Sequence, residues 1–263
     1  MILDEILARK RTEVAERRAA MPEPVPHPDQ PRPFAEMLRQ SHGRGARVIA
    51  EFKRRSPSGG LIRPDATPAD VARLYAASGA AALSVLTDAH YFGGSEVDLV
   101  EARGACALPA LRKDFVIDAY QIHEARSIGA DAVLLIVRAL SEAQLRDFLD
   151  LSRSLGLDAL VETHSADEVR RALDAGARIV GVNNRDLDTL VTDVSLAPRL
   201  RLLVPADRVF VAESGVSTPE QMATLAGAGV DAVLIGEALL RADDPAARLR
   251  ELVAAGARPS VRA

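Results

Sequence analysis

The 263-residue chain contains no tryptophan, a single cysteine and only 3% aromatic residues. Whatever core it forms must be built from Ala, Val, Leu and Ile, a composition suited to parallel sheets covered by helices. With one thiol, at Cys106, an intramolecular disulfide framework and a thiolate cluster for zinc or iron-sulfur chemistry are both excluded, and Cys106 reads as a small buried hydrophobe. No segment reaches the roughly 18 apolar residues of a membrane span. The N-terminal MILDEILARKRTEV interleaves charge with apolar residues and lacks the apolar stretch of a secretory leader. No membrane partner is expected, and the cytoplasm is the expected location.

Charge of one sign is missing too. The 33 basic residues are interspersed among 37 acidic ones, for a formal charge of -4, so no nucleic-acid surface is indicated and a small-molecule ligand fits better. The histidines, at positions 27, 42, 90, 123 and 164, have no metal-ligand spacing, and His164 alone lies near an expected strand end. No metal is expected.

What the chain does have is a regular alternation. Short aliphatic runs recur at RVIAEFK (from Arg47), ALSVL (from Ala82), PALRKDF (from Pro109), AVLLIV (from Ala132), ALVET (from Ala159), IVGVNN (from Ile179), VFVAES (from Val209) and AVLIG (from Ala232), giving eight expected strands. Between them lie stretches of helical spacing such as SEAQLRDFLDLSRSLG and SADEVRRALDAG, the second opening on a Ser suited to an N-cap. A weak repeat, SIGADAVLLI, DAGARIVGV and GAGVDAVLIG, sets a helix-ending glycine before each buried strand. Strict alternation implies parallel pairing through right-handed crossovers. Eight units in a chain just above the roughly 250 residues typical of the fold favour a single (β/α)8 TIM barrel. Residues 1–46 are expected to form an N-terminal helical extension packing on the barrel, 47–257 the catalytic barrel, and 258–263 a C-terminal tail.

Barrel enzymes place their chemistry at the C-terminal ends of the strands, and period-two alternation decides which side chains point inward there. Glu51 and Lys53 share one face of the first strand, Leu111, Lys113 and Phe115 one face of the third, and Leu160 and Glu162 one face of the fifth. Together with Asn183 and Arg185 these are polar groups on apolar strands, where an unpaired charge would cost several kcal/mol. A structural ion-pair layer would offset that cost, and so would a binding site. Two lysines facing two glutamates make an acid/base constellation. The seventh and eighth strands end in ESGV (Glu213 to Val216) and IGEAL (Ile235 to Leu239), glycine turns that suit a phosphate held on backbone N–H groups. After the first strand, RRSPSGGLIRPDATP carries Pro57, Ser58, Gly59 and Gly60, either a lid or an ordinary solvated loop before a helix starting near Thr67 or Pro68.

Taken together, IAEFKRRSPSGG, LTDAHYFGGS, LRKDF, LLIV, LVETH, GVNNRDL, VAESGV and LIGEAL resemble the successive strand-end motifs of the indole-3-glycerol-phosphate synthase family, in order and over nearly the whole chain. EFKRRSPSG followed by LRKDF is the specific pair, whereas ESG and GEAL mark phosphate-binding barrels in general. The resemblance implies conversion of 1-(2-carboxyphenylamino)-1-deoxyribulose 5-phosphate to indole-3-glycerol phosphate, with loss of carbon dioxide and water, in tryptophan biosynthesis and without a cofactor. It implies Lys113 as general acid, Glu162 as the carboxylate assisting proton removal and dehydration, and Glu51 as the group tuning Lys53 and Lys113. Lys53 and Arg185 would clamp the substrate carboxylate or phosphate, Asn183 the sugar hydroxyls, and Ser56 and Ser214 would add polar contacts. Gly215, Gly236 and the Glu237 backbone would bind phosphate, and Phe92, Phe115, Leu134, Ile136 and Leu187 would line the aromatic pocket. A monomer or weak homo-oligomer acting on a small phosphorylated molecule is expected. Rival readings are an isomerase of the same pathway, which would need a Cys/Asp pair that Cys106 is poorly placed to supply, and a non-catalytic phosphosugar-binding barrel.

Overall fold

The aliphatic runs pair in chain order. In the computed structural model, which describes residues 2–39, 45–56, 60–63, 65–186 and 189–257, eight strands close into an all-parallel barrel. They are β1 (Arg47–Phe52), β2 (Ala82–Leu86), β3 (Ala110–Lys113), β4 (Ala132–Ile136), β5 (Asp158–Thr163), β6 (Ile179–Asn183), β7 (Val209–Glu213) and β8 (Ala232–Ile235). Each pairs with its predecessor, and β8 returns to β1 through Val48 opposite Val233. The expected loop residues Pro57, Ser58 and Gly59, the expected pocket residue Leu187 and the tail 258–263 lie outside the described residues.

Alternation along each strand sorts the core into two layers. Ile49, Leu111, Leu134, Leu160, Ile179, Val211 and Leu234 fill the barrel interior. Their neighbours Val48, Val133, Val161, Val180, Phe210 and Val233 face outward and pack under the helices. Helices follow the strands with side-chain caps at their starts. Thr67 caps α3 (Pro68–Ala77), Ser95 caps α5 (Glu96–Ala105), Asp118 caps α6 (Ala119–Ser127) and Ser141 caps α7 (Glu142–Ser154). Ser165 accepts from the Glu168 amide at α8 (Ala166–Asp174), as its SADEV motif predicts. Next come α9 (Leu196–Arg201), α10 (Pro219–Gly227) and α12 (Pro245–Gly256), while α4 (Ala89–Phe92) and α11 (Glu237–Leu240) are single turns beside the mouth. No helix of the described residues is long and apolar enough to cross a membrane.

The N-terminal segment touches both ends of the barrel. α1 (Ile2–Ala20) lays Leu3 and Ile6 against the interior cluster, whereas α2 (Phe34–Leu38) buries Phe34 and Leu38, with the Ala35 amide bonded to Asp158 at the start of β5. Between them, Arg32 donates to the carbonyls of Arg103, Cys106 and Leu108, tying the proline-rich stretch to the end of α5.

Two buried cations hold the strand that carries Lys113. Lys10 on α1 is 2% exposed and pairs with Asp88 at 2.8 Å and Asp114 at 2.9 Å. Arg112, fully buried on the outer face of β3, pairs with Asp114, Glu96 and Glu124. Burial opposes ionisation of Asp114, but Lys10 and Arg112 outweigh it and hold this carboxyl well below the ordinary range. The residue next to Lys113 is therefore pinned from the extension on one side and from α5 and α6 on the other.

Candidate active site

At the C-terminal end of the barrel a cavity of about 390 Å³ opens between the strand ends. The sequence-derived candidates converge there: Glu51, Lys53 and Ser56 after β1, Lys113 and Phe115 at β3, Leu134 and Ile136 on β4, and Glu162 on β5 line it together. On the opposite side it is lined by Asn183 and Arg185 at β6, Ser214 and Gly215 after β7, and Gly236 and Glu237 after β8, with Phe92 of α4 at the rim. Most strands end one or two residues before the expected aliphatic runs do; among them β1 ends at Phe52 and β3 at Lys113, so Lys53 and Phe115 stand one and two residues past their strands. Both still face the cavity.

The floor is a cluster of charges. Lys113 Nζ lies 2.8 Å from Glu162 Oε2 and 3.2 Å from Glu213 Oε2, and Lys53 Nζ lies 2.6 Å from Glu51 Oε1. Burial works against the charge on Lys113, yet Glu162, Glu213 and Glu51 raise its pKa far above the ordinary lysine value. Burial likewise opposes ionisation of Glu162, but Lys113 and His164 hold it well below the usual carboxylate range. Glu213 goes the other way. Burial, reinforced by the Glu162 charge and only partly offset by Lys113, pushes it up to about 7. Two neighbouring carboxylates on one lysine are thus driven apart in acidity, which is how a site holds an acid and a base at one pH.

Glu213 is not among the sequence-derived candidates, since its ESGV motif marks a glycine turn. The signal was present: Glu213 is the inward-facing partner of Val211 at the end of an apolar strand, the same parity that marks Glu51 and Glu162. It is 1% exposed, and neither carboxylate oxygen has an aligned hydrogen bond, the Lys113 contact being a close charge contact only. Glycines make room for these side chains. A Cβ on Gly181 would collide with Glu213 Oε1, and one on Gly236 with Glu51 Oε1. Gly236 is therefore required by a neighbour's bulk; its φ of -123° needs no glycine.

One wall is apolar and the other polar. Phe92 and Phe115, with ring centroids 6.2 Å apart, join Leu134 and Ile136, and α1 adds Ile2, Leu3 and Ile6, which sequence reading had not placed in the site. Across the cavity, Ser214 and Gly215 adopt successive left-handed conformations, φ 64° and 84°. Such a turn directs backbone N–H groups toward an anion. Asn184 Nδ2 donates to the Ser214 carbonyl, fixing the turn, and Asn183 Oδ1 accepts from the Arg185 amide. The first turn of α11 and Arg241 complete this end.

A family profile described as indole-3-glycerol phosphate synthase matches residues 3–252 of the chain. An indole-3-glycerol phosphate synthase of Kineococcus radiotolerans is 49% identical over 269 aligned residues, spanning 100% of this chain and 98% of that protein. Another, from Desulfosudis oleivorans, is 48% identical over 258 residues, 96% of this chain and 98% of that one. Among solved structures, a thiamine phosphate pyrophosphorylase from Pyrococcus furiosus superimposes with a TM-score of 0.61 at 16% identity, over 80% of this chain and 94% of that one, a likeness of fold alone.

Proposed function

The chain belongs to the indole-3-glycerol phosphate synthase family, and from that membership we propose the part each mouth residue plays in its reaction. The protein is a carboxy-lyase that converts 1-(2-carboxyphenylamino)-1-deoxyribulose 5-phosphate to indole-3-glycerol phosphate in tryptophan biosynthesis. The observation that carries the assignment of roles is Lys113 standing between Glu162 and Glu213 on the floor of a cavity with one apolar and one polar wall.

The substrate's phosphate sits on the Ser214–Gly215 turn and the start of α11, held by the amides of Gly215, Gly236 and Glu237. Its aromatic ring lies against Phe92, Phe115, Leu134 and Ile136, with Leu187 as a further proposed contact. Lys53 and Arg185 take the carboxylate and phosphate charges, Asn183 the sugar hydroxyls, and Ser56 and Ser214 the remaining polar contacts. Lys113 Nζ gives its proton to the sugar carbonyl oxygen as the carboxylate-bearing ring carbon forms the new C–C bond. The C–carboxylate bond then breaks, its electron pair restores the aromatic ring, and carbon dioxide leaves. An apolar wall favours that step by stripping water from the carboxylate. The new hydroxyl takes a proton from solvent and departs as water, while the adjacent carbon yields a proton to Glu162 that returns to solvent, so the dehydration consumes no net proton. The net proton consumed is the one Lys113 supplied and solvent restores.

Ammonium charge beside a developing oxyanion stabilises it before the proton moves. Lys113 is held so strongly cationic by its glutamates that it becomes an effective donor only once substrate shares their charge. Glu213, pushed up to about 7, carries a proton part of the time at neutral pH and relieves that restraint. Glu51 keeps Lys53 in place. The proposal extends to the division at residues 46 and 257, to a cytoplasmic location and to a monomeric or weakly associating state, which sedimentation checks.

The direct test is formation of the fluorescent indole product from the anthranilate-sugar adduct by purified protein. Lys113→Ala is expected to cut turnover by about 100- to 10,000-fold, the usual worth of a positioned proton donor. An unchanged rate constant would remove Lys113 from that role.

A further inference from the structure

His164, one residue past β5, takes no part in the roles above, yet its side chain is 2% exposed and lies behind the catalytic floor. Its Nε2 is 3.4 Å from Glu162 Oε1, the oxygen that Lys113 does not use. Its Nδ1 is 3.3 Å from Glu168 Oε2 on α8. Glu168 is itself immobilised: Oε2 accepts the His164 backbone amide at 2.8 Å, Oε1 accepts from Arg138 at 3.2 Å, and its own amide is capped by Ser165.

A ring placed between two carboxylates has one protonation state that suits it. Neutral imidazole carries a single N–H and would turn the lone pair of its other nitrogen toward a carboxylate oxygen, whereas imidazolium carries an N–H at both, bonded to Glu168 at Nδ1 and in a close charge contact with Glu162, without an aligned hydrogen bond, at Nε2. Charges therefore alternate from the outer layer to the reacting centre: Arg138, Glu168, His164, Glu162, Lys113, with Glu213 beyond. Burial opposes a charged ring, but Glu162 and Glu168 outweigh it and push His164 up to about 9.

We propose that His164 is a positioning residue for ring closure, an imidazolium strut anchored on Glu168 that holds Glu162 ionised and aimed at the cavity. This rests on Glu162 accepting the proton in the dehydration step. Glu162 is then flanked by a cation on each oxygen, so it stays ionised into acid solution and releases a captured proton readily. Glu213, with Lys113 as its close cation, does neither.

Three measurements on the full-length enzyme test it. In the wild type, the His164 ring signal, assigned by its loss in His164→Gln, titrates near 9 and moves to lower pH in Glu162→Gln. In His164→Asn and His164→Gln, kcat falls about tenfold while KM changes less than threefold. The acid limb of kcat/KM moves up by about one unit or more, because loss of a neighbouring cation raises a carboxylate pKa by that amount. A purely structural histidine would lower the melting temperature without moving the limb. Acid limbs superimposable on wild type in both variants, with Glu162→Gln slow, overturn the strut and leave the role of Glu162 standing. A Glu162→Gln enzyme as fast as wild type removes Glu162 from proton transfer and the strut with it. A wild-type His164 that titrates at or below the ordinary histidine value also overturns it.

Discussion

Gly181 and Glu213 stand on adjacent strands at the mouth, and the bare Cα of one is what lets the other point inward: a Cβ on Gly181 would collide with Glu213 Oε1 and lie 3.0 Å from Leu160 Cδ1. Gly181 has ordinary strand geometry, so Ala is acceptable to the backbone there and the conflict falls on the carboxylate. Gly181→Ala is expected to displace Glu213 from Lys113 and to lower kcat by about tenfold to a hundredfold, the scale of a misplacement of about 1 Å at a reacting centre. Steady-state kinetics beside a melting curve check this. A rate within twofold of wild type would show that the position of Glu213 is immaterial.

Glu213 itself ties activity to stability. Its pKa is raised from 4.5 to about 7 in the folded chain, so the folded state is favoured by its protonated form. That contribution is complete below about 4.5 and is lost as pH rises through 7. Glu213→Gln cannot ionise. The variant should therefore be more stable than wild type above pH 7, by about 1–3 kcal/mol, the usual cost of an unsatisfied buried group. The two proteins should converge at low pH, and turnover should be lower in the variant. Denaturant titrations at several pH values read the difference, and parallel stability curves would refute the raised pKa.

The barrel was legible because each strand is a short aliphatic run and most of the helices between strands carry a side-chain cap, both local properties. The site was legible by parity, a charge on the inward face of an apolar strand, and that rule found Glu51, Lys113 and Glu162. Glu213 obeys it too, but its motif was read for the glycine turn. Lys10 and Arg112 were not legible, since what makes them structural is burial against partners far along the chain, Lys10 and Asp88 being 78 residues apart. Nothing around ILARKRT separates a buried lysine from a solvated one. For Gly236 the conformational reading was incomplete, because the side chain it accommodates, Glu51, lies on the strand that closes the barrel.

Lys10 offers a third test. Without it, Asp88 and Asp114 keep their burial and lose the ammonium between them, and breaking a buried pair from one side costs about 3–5 kcal/mol. Lys10→Ala should lose that much stability near neutrality. Because Asp114 is held below its ordinary value, the stabilisation exists above about 3.8 and fades as pH falls through the folded-state pKa, so the difference between variant and wild type should shrink in acid. Turnover should also fall, since Asp114 anchors the end of β3 beside Lys113. Melting curves from pH 3 to 8 check the sign; a gap that widens in acid would contradict the pairing.

Gly215 separates phosphate binding from fold. Its φ of 84° disfavours any side chain, and a Cβ there would stand 2.5 Å from Thr192 Cγ2 and 2.8 Å from Val194 Cγ1. Thr192 in turn pairs with Arg185, so Gly215→Ala disturbs the turn and the arginine together. A left-handed alanine costs roughly 1–2 kcal/mol, a modest fall in melting temperature. The larger effect is expected in KM for the phosphorylated adduct, a rise of about tenfold, with kcat less affected because the proton-transfer groups stand on other strands. The adduct lacking its phosphate makes the comparison decisive. If the turn and the Arg185 it adjoins hold phosphate, wild type and variant should treat that poorer substrate almost alike, since neither can gain from a contact that is not made. Equal losses on both substrates would mean that Gly215 serves the geometry of β7 and not the anion.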